Sequence, residues 1–149
     1  MTEREATRCN ITALRKATRH VSQLYDAMLA ASGLRATQRA ILANIAREEA
    51  PTMSELAAAL VLDRTALNHN LKPLERDGLV AIAADPDDRR SRRVRLTRRG
   101  AARLAESETA WKRAQDIFEA AFGPKEAAAL RNTLALVASL DLAAAGKPA

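Results

Sequence analysis

The sequence predicts a mainly α-helical fold carrying one small β-hairpin, and three observations predict it. Ala and Leu dominate a chain of 149 residues in which aromatic residues are only 3%, and both favour helix. Apolar residues recur at steps of three and four over long stretches near both ends. Between those stretches, two short alternating segments flank the turn-forming Asp85-Pro86-Asp87-Asp88. The length fits one domain with a real core, and no internal repeat or linker divides it.

Residues 9–31 read as a helix, with Ile11, Leu14, Ala17, Val21, Leu24, Tyr25 and Met28 along one stripe. Gly33 is placed to end it. Thr37 is a candidate cap for a second helix with Ala40, Ile41, Leu42, Ala43 and Ile45 as its apolar positions. Pro51 closes that segment. Thr52-Met53-Ser54-Glu55 has the form of a capping box, and the short helix behind it carries Leu56, Ala59 and Leu60 on one face. Asp63 can cap a further helix over about 64–76, with Leu67, Leu71 and Leu74 inward and Gly78 as a left-handed stop. Pro73 lies inside this helix, where the lost N–H and the crowded carbonyl of residue 69 cost ~3 kcal/mol. A kink is expected there, because Leu74 and Gly78 continue the pattern.

Residues 79–82 read as a strand and residues 93–97 as its return, giving a hairpin whose tip holds Asp88, Arg89 and Arg90. Thr97 can cap a long helix over about 98–122 containing Leu104, Trp111, Ile117 and Phe118. Gly123-Pro124 breaks it. A last helix over about 125–144 places Leu130, Leu134, Val137 and Leu140 on one face, and residues 146–149 form a frayed tail.

The net charge is +6, and its distribution is uneven. Residues 63–103 hold eleven basic and six acidic residues, so nearly all the excess sits in that stretch. A polyanion is the natural partner for such a patch, although a basic run by itself is more often a solvated surface. Here the run coincides with a short helix, a tight turn, a second helix and a hairpin, the layout of a helix-turn-helix with a wing. A single helix fits the major groove of B-DNA. Residues 52–62 would support it and residues 64–77 would read. Thr65, Asn68, His69 and Lys72 lie away from Leu67, Leu71 and Leu74. An Asn bonds adenine bidentately, for about 1–3 kcal/mol of discrimination, whereas Lys72 suits a phosphate. Arg89, Arg90 and Arg92 suit a narrow minor groove, with Asp88 able to hold a guanidinium bidentately. The plain alternative is a flexible loop with surface ion pairs worth little.

Four segments carry a resemblance: Met53-Ser54-Glu55-Leu56-Ala57, Leu74-Glu75-Arg76-Asp77-Gly78-Leu79-Val80, Asp85-Pro86-Asp87-Asp88-Arg89-Arg90, and Val94-Arg95-Leu96-Thr97-Arg98-Arg99-Gly100. Over residues 9–142 the chain resembles the MarR family of transcriptional regulators. The resemblance implies a single domain over 1–149, with dimerisation helices at 9–48 and 98–144 and a winged helix-turn-helix lobe at 49–97. It implies a homodimer on a pseudo-palindromic operator in double-stranded DNA, usually as a repressor. By position, Arg90 resembles the family's minor-groove wing arginine and Asp88 its orienting acid. The apolar stripes of the first and last helices also lack a partner inside a small lobe. Pairing two copies would bury them and set two reading helices ~34 Å apart.

Many members of the family release DNA on binding a small aromatic or phenolic anion. Tyr25, Met28, Arg39, Leu42 and Trp111 are the candidates to line such a pocket, with core or dimer packing as the commoner role of such residues. A second branch senses peroxides through a cysteine in the first helix. Cys9 is near that region, and Arg8 or the helix N-terminus could depress its pKa, but Arg39 stands where one of that branch's tyrosines would be. An architectural or RNA-binding protein would also be basic, yet base-stacking aromatics are missing. No Ser-His-Asp, Cys-His or paired-carboxylate arrangement and no glycine-rich phosphate loop occurs, which argues against an enzyme. The lone Cys9 and the distant His20 and His69 offer no metal-ligand spacing, and no cofactor is called for. No apolar run spans a bilayer and no signal-peptide core follows Met1, so the cytoplasm is the expected location.

Overall fold

A computed structural model of the chain describes residues 8–148. The chain divides into two compact units, the first ending at Ala114 and the second beginning at Gln115.

The first unit opens with α1 (Asn10–Leu29), which tightens into a 3-10 turn at Ala30–Ser32. Gly33 then stands at φ +72 and donates its N–H to the Ala30 carbonyl, the expected left-handed stop. The next helix, α2 (Ala36–Glu48), starts before Thr37, so the expected threonine cap is not used. Arg35 holds the cap position without an acceptor for the orphan N–H groups. Gln38 accepts the Arg35 N–H at 3.0 Å, and Asp26 of α1 accepts the Ala36 N–H at 2.8 Å. A carboxylate from another helix therefore does the work expected of Thr37.

Local chemistry fixes the next two helices as the sequence predicts. At the start of α3 (Met53–Leu60), Thr52 and Glu55 form both halves of a capping box, at 2.8 and 3.1 Å. The turn out of α3 sets Val61 at φ +54, and the Leu62 N–H returns to the Ala57 carbonyl. Asp63 then caps α4 (Arg64–Arg76) through the Ala66 N–H at 2.7 Å. The helix runs without interruption through Pro73. It ends in a Schellman arrangement: Gly78 at φ +72 donates to Glu75, and Leu79 donates to Leu74.

The hairpin is longer than the sequence implied. β1 (Val80–Asp85) and β2 (Asp88–Leu96) pair antiparallel, with Asp85 opposite Asp88 and a bulge between Ala84 and Asp85. The turn is thus reduced to Pro86 and Asp87. Thr97 caps α5 (Arg98–Glu106) through the Gly100 N–H and donates its own hydroxyl to the Gly78 carbonyl at 2.6 Å. Gly100 is required because α5 starts directly against the backbone leading into β1: a Cβ there would stand 1.9 Å from the Leu79 carbonyl oxygen.

The single long helix expected over 98–122 is two, α5 and α6 (Glu108–Phe122). The break is at Ser107, which is fully buried. Its N–H is shared between the Arg103 and Leu104 carbonyls, and its hydroxyl donates to Leu104. A serine that bonds back into its own helix competes with the regular ladder.

One core holds this unit together. Leu42, Ile45, Leu56, Leu67, Leu71, Leu74, Leu79 and Val94 are all but inaccessible and form one cluster with Leu34, Ile41, Met53 and Val80. Each such side chain contributes about 1.5–3 kcal/mol by leaving water. Ala40 and Ala59, expected inward, are exposed; the larger Ile41 and Met53 occupy the buried stripes of their helices.

In the second unit, Gly123 at φ +110 and Pro124 open α7 (Pro124–Ser139). The expected continuation to residue 144 does not occur, because Leu140 is extended and Asp141 caps a separate turn, α8 (Leu142–Ala145), through the Ala144 N–H. Phe118 and Phe122 stack, and Glu119 pairs with Arg131 at 3.0 Å. Leu130, Leu134, Leu136, Val137 and Leu140 are exposed, as are Ile11 and Leu14 on α1. Among the described residues no helix is long and apolar enough to cross a membrane.

Candidate nucleic-acid interface

Spacing builds the exposed face of α4. Leu67, Leu71 and Leu74 take the buried stripe, so Thr65, Asn68, His69 and Lys72, at steps of three and four on the other side, are all exposed. None of the four bonds to another side chain among the described residues, which leaves their donors and acceptors to outside partners. Asn70, by contrast, turns back to the Ala66 carbonyl at 2.8 Å.

The wing supplies the charge. Arg89, Arg90 and Arg92 are exposed, and none has an ion-pair partner among the described residues. Asp88 does not grip the Arg90 guanidinium, as the bidentate expectation had it. Its carboxylate accepts the Arg90 backbone N–H at 3.0 Å. It therefore fixes the backbone entering the strand and leaves the guanidinium unpaired.

A further arginine was not singled out by sequence reasoning. Arg93 Nε lies 3.1 Å from Asp85 Oδ2, and its Nη1 donates to the Ala50 carbonyl at 2.9 Å. The Asp85 carboxyl is held below its ordinary range, first by the Asp87 backbone N–H and then by the Arg93 guanidinium. Its folded pKa lies below the unfolded one. The stabilisation is thus fully present above the ordinary carboxylate range and is lost as the pH falls through the depressed folded value. Acidification below about pH 4 is expected to loosen the hairpin root, read from magnetic resonance of the β2 amides. A transition unchanged in Asp85→Asn would assign it to another group.

The residues considered for an effector site part company. Leu42 is fully buried in the core. Tyr25 and Met28 are half-buried on α1. Arg39 and Trp111 meet: the guanidinium lies 4.5 Å above the Trp111 ring. It also donates to Ser107 Oγ at 3.0 Å and to Glu108 Oε2 at 2.6 Å. Ser107 and Glu108 were missed, since nothing in the sequence links them to a residue 68 and 69 positions away. A shallow cleft of about 500 Å³ lies elsewhere, lined by Lys16, Ala17, Arg19, His20 and Gln23. Cys9 precedes α1 at its cap position and is half-buried. Its thiol is drawn below the ordinary value by the Thr12 hydroxyl and then by the Thr12 backbone N–H; Arg8, the neighbour expected to do this, takes no part. No group of three or more His, Cys, Asp or Glu able to hold a metal occurs among the described residues.

A family model described as the MarR family matches residues 32–91. The structure of the M. tuberculosis transcriptional regulator MosR in complex with DNA is 37% identical, covers 87% of this chain and 93% of that one, and superimposes with a TM-score of 0.77. CouR, a transcriptional repressor bound to a 23-mer DNA duplex, is 27% identical over 93% of this chain and 98% of that one, with a TM-score of 0.80. A mutant of E. coli MarR complexed with operator DNA is 25% identical over 84% of this chain and 90% of that one, with a TM-score of 0.76. No curated protein sequence matches the chain.

Proposed function

The chain belongs to the MarR family, and from that premise we propose that it is a homodimeric transcriptional regulator that binds a pseudo-palindromic operator in double-stranded DNA, with repression as its outcome. The observation that carries this is the free polar face of α4 beside a wing of unpaired arginines. Phosphate contacts give position and affinity, and base contacts give sequence preference. Lys72, Arg89 and Arg92 supply the first, Asn68 and His69 the second, and Arg90 enters the minor groove. MosR, over a third identical, was solved on DNA, and CouR is a repressor. The exposed leucines of α7 and the exposed Ile11 and Leu14 of α1 are the surfaces a second copy would cover.

The test compares a palindromic fragment from upstream of the coding sequence with scrambled DNA of equal length. A clear preference for the palindrome is expected, reduced about tenfold in Asn68→Ala, since one bidentate base contact is worth about 1–3 kcal/mol. Equal binding of both DNAs by the wild type defeats the proposal. A ratio unchanged in Asn68→Ala removes that side chain from base reading.

Release of DNA by a small aromatic anion is the favoured control: Arg39, stacked on Trp111, is tied to Glu108 at 2.6 Å, and an aromatic carboxylate that displaced Glu108 would meet a cation and a flat apolar face in one place. The second reading is oxidation of Cys9, favoured by its depressed thiol pKa: the thiolate attacks the terminal, hydrogen-bearing oxygen of a peroxide, the O–O bond breaks to give a sulfenic acid, and the leaving alkoxide or hydroxide takes a proton from solvent to become an alcohol or water. Titrating the DNA complex with benzoate and, separately, with hydrogen peroxide, in wild type and Cys9→Ser, decides between them. Release by peroxide that is lost in Cys9→Ser establishes the redox reading; release by benzoate in both proteins establishes the other.

A further inference from the structure

Arg93 sits inside the run Arg89, Arg90, Arg92, Arg93 and Arg95, yet the fold treats it differently from its neighbours. The other four are exposed and unpaired among the described residues. Arg93 is half-buried and bonded in two directions, to Asp85 across the hairpin and to the Ala50 carbonyl outside it. Asp85 is 5% exposed, and its other oxygen accepts the Asp87 N–H at 3.0 Å. One residue further along β2, the Val94 N–H donates to the Pro51 carbonyl at 2.9 Å, and Thr52 forms an isolated bridge with Arg93. The wing is thereby fastened to the segment entering α3. That segment holds Glu49 and Ala50 at φ +50 and +65, left-handed conformations that non-glycine residues disfavour. The surroundings must fix them in place.

We propose that Arg93 is a positioning residue. The clasp Asp85–Arg93–Ala50 sets the angle of the wing against the helix-turn-helix and so determines where Arg90 meets the duplex. This rests on the DNA-binding reading above. A two-stranded hairpin is marginal by itself, and small rotations at its root move its tip furthest. The guanidinium suits the task because its rigid planar fork can satisfy a carboxylate and a carbonyl at once, which a lysine point charge does less well. With Asp85 beside it, Arg93 adds little net field for a phosphate to feel.

The experiment measures operator affinity for Asp85→Asn, Arg90→Gln, Arg93→Gln and the Arg90→Gln/Arg93→Gln pair, with hydrogen exchange at the Val94 amide in each. Asparagine keeps an oxygen for the Asp87 N–H and makes the protein one unit more positive. If Arg93 were a phosphate contact, freeing it from Asp85 would tighten binding. The clasp predicts the opposite: binding weaker by about tenfold, with faster exchange at Val94. In the Arg90→Gln background, Arg93→Gln should cost little more, because the arginine it positions is already gone. Tighter binding by Asp85→Asn overturns the proposal, and so does full additivity of Arg90→Gln and Arg93→Gln. A wild type with no preference for the palindrome defeats the DNA reading and the positioning role with it, whereas Val94 exchange reads the clasp without DNA.

Discussion

Arg90→Ala is expected to weaken operator binding by about 1.5–3 kcal/mol, which is at least tenfold. The residue stands at the hairpin tip, where Asp88 holds its backbone at 3.0 Å and leaves its guanidinium without an intramolecular ion-pair partner among the described residues. A narrow minor groove concentrates negative potential. An arginine delivered there on a fixed strand loses less conformational freedom on binding than one on a loose loop. The slope of log affinity against log salt should also flatten by about one unit, as expected when one cationic contact is removed. Anisotropy titrations at several salt concentrations check both numbers. Unchanged affinity with an unchanged slope would exclude the wing tip from the interface.

Gly100→Ala is expected to destabilise the fold by about 3 kcal/mol, lowering the melting temperature by about 10 °C. The added methyl would stand 1.9 Å from the Leu79 carbonyl oxygen, and that backbone has little room to retreat. The Leu79 carbonyl accepts the Thr97 N–H at 3.1 Å, the Leu79 N–H is bound to Leu74, and the Thr97 hydroxyl is bound to Gly78. Gly78→Ala makes the comparison informative. Its φ is +72, but nothing lies within 4 Å of the added carbon, so only the left-handed penalty of about 1–2 kcal/mol applies. Thermal unfolding followed by circular dichroism should rank the two variants in that order. The reverse order would mean that contact with Leu79 is not what requires glycine at 100.

The features legible in the sequence are those decided within a few residues. Thr52 with Glu55, Asp63, Gly78, Thr97 and Gly123-Pro124 all act through their own backbone neighbourhood, and each stands where local rules place it. The face of α4 was legible for the same reason, since three leucines at helical spacing determine which residues remain outside. The contacts that escaped join distant positions. Arg39 with Ser107 and Glu108 is one, and Arg93 with Asp85 and Ala50 is another. Residue spacing cannot report a partner 43 or 68 positions away. The break at Ser107 was missed because serine is tolerated in helices until burial turns its hydroxyl back onto the chain. An alternating arginine strand likewise gives no sign of which guanidinium will be taken by the fold.

The carboxylate of Asp26 on the first residue of α2 limits how this molecule can be cut. A fragment beginning at Ala36 would contain the whole helix-turn-helix and hairpin, yet its leading helix would start frayed, with an uncapped positive pole. Excising the reading lobe as a minimal module would therefore need a new acceptor grafted at residue 35, such as serine or aspartate.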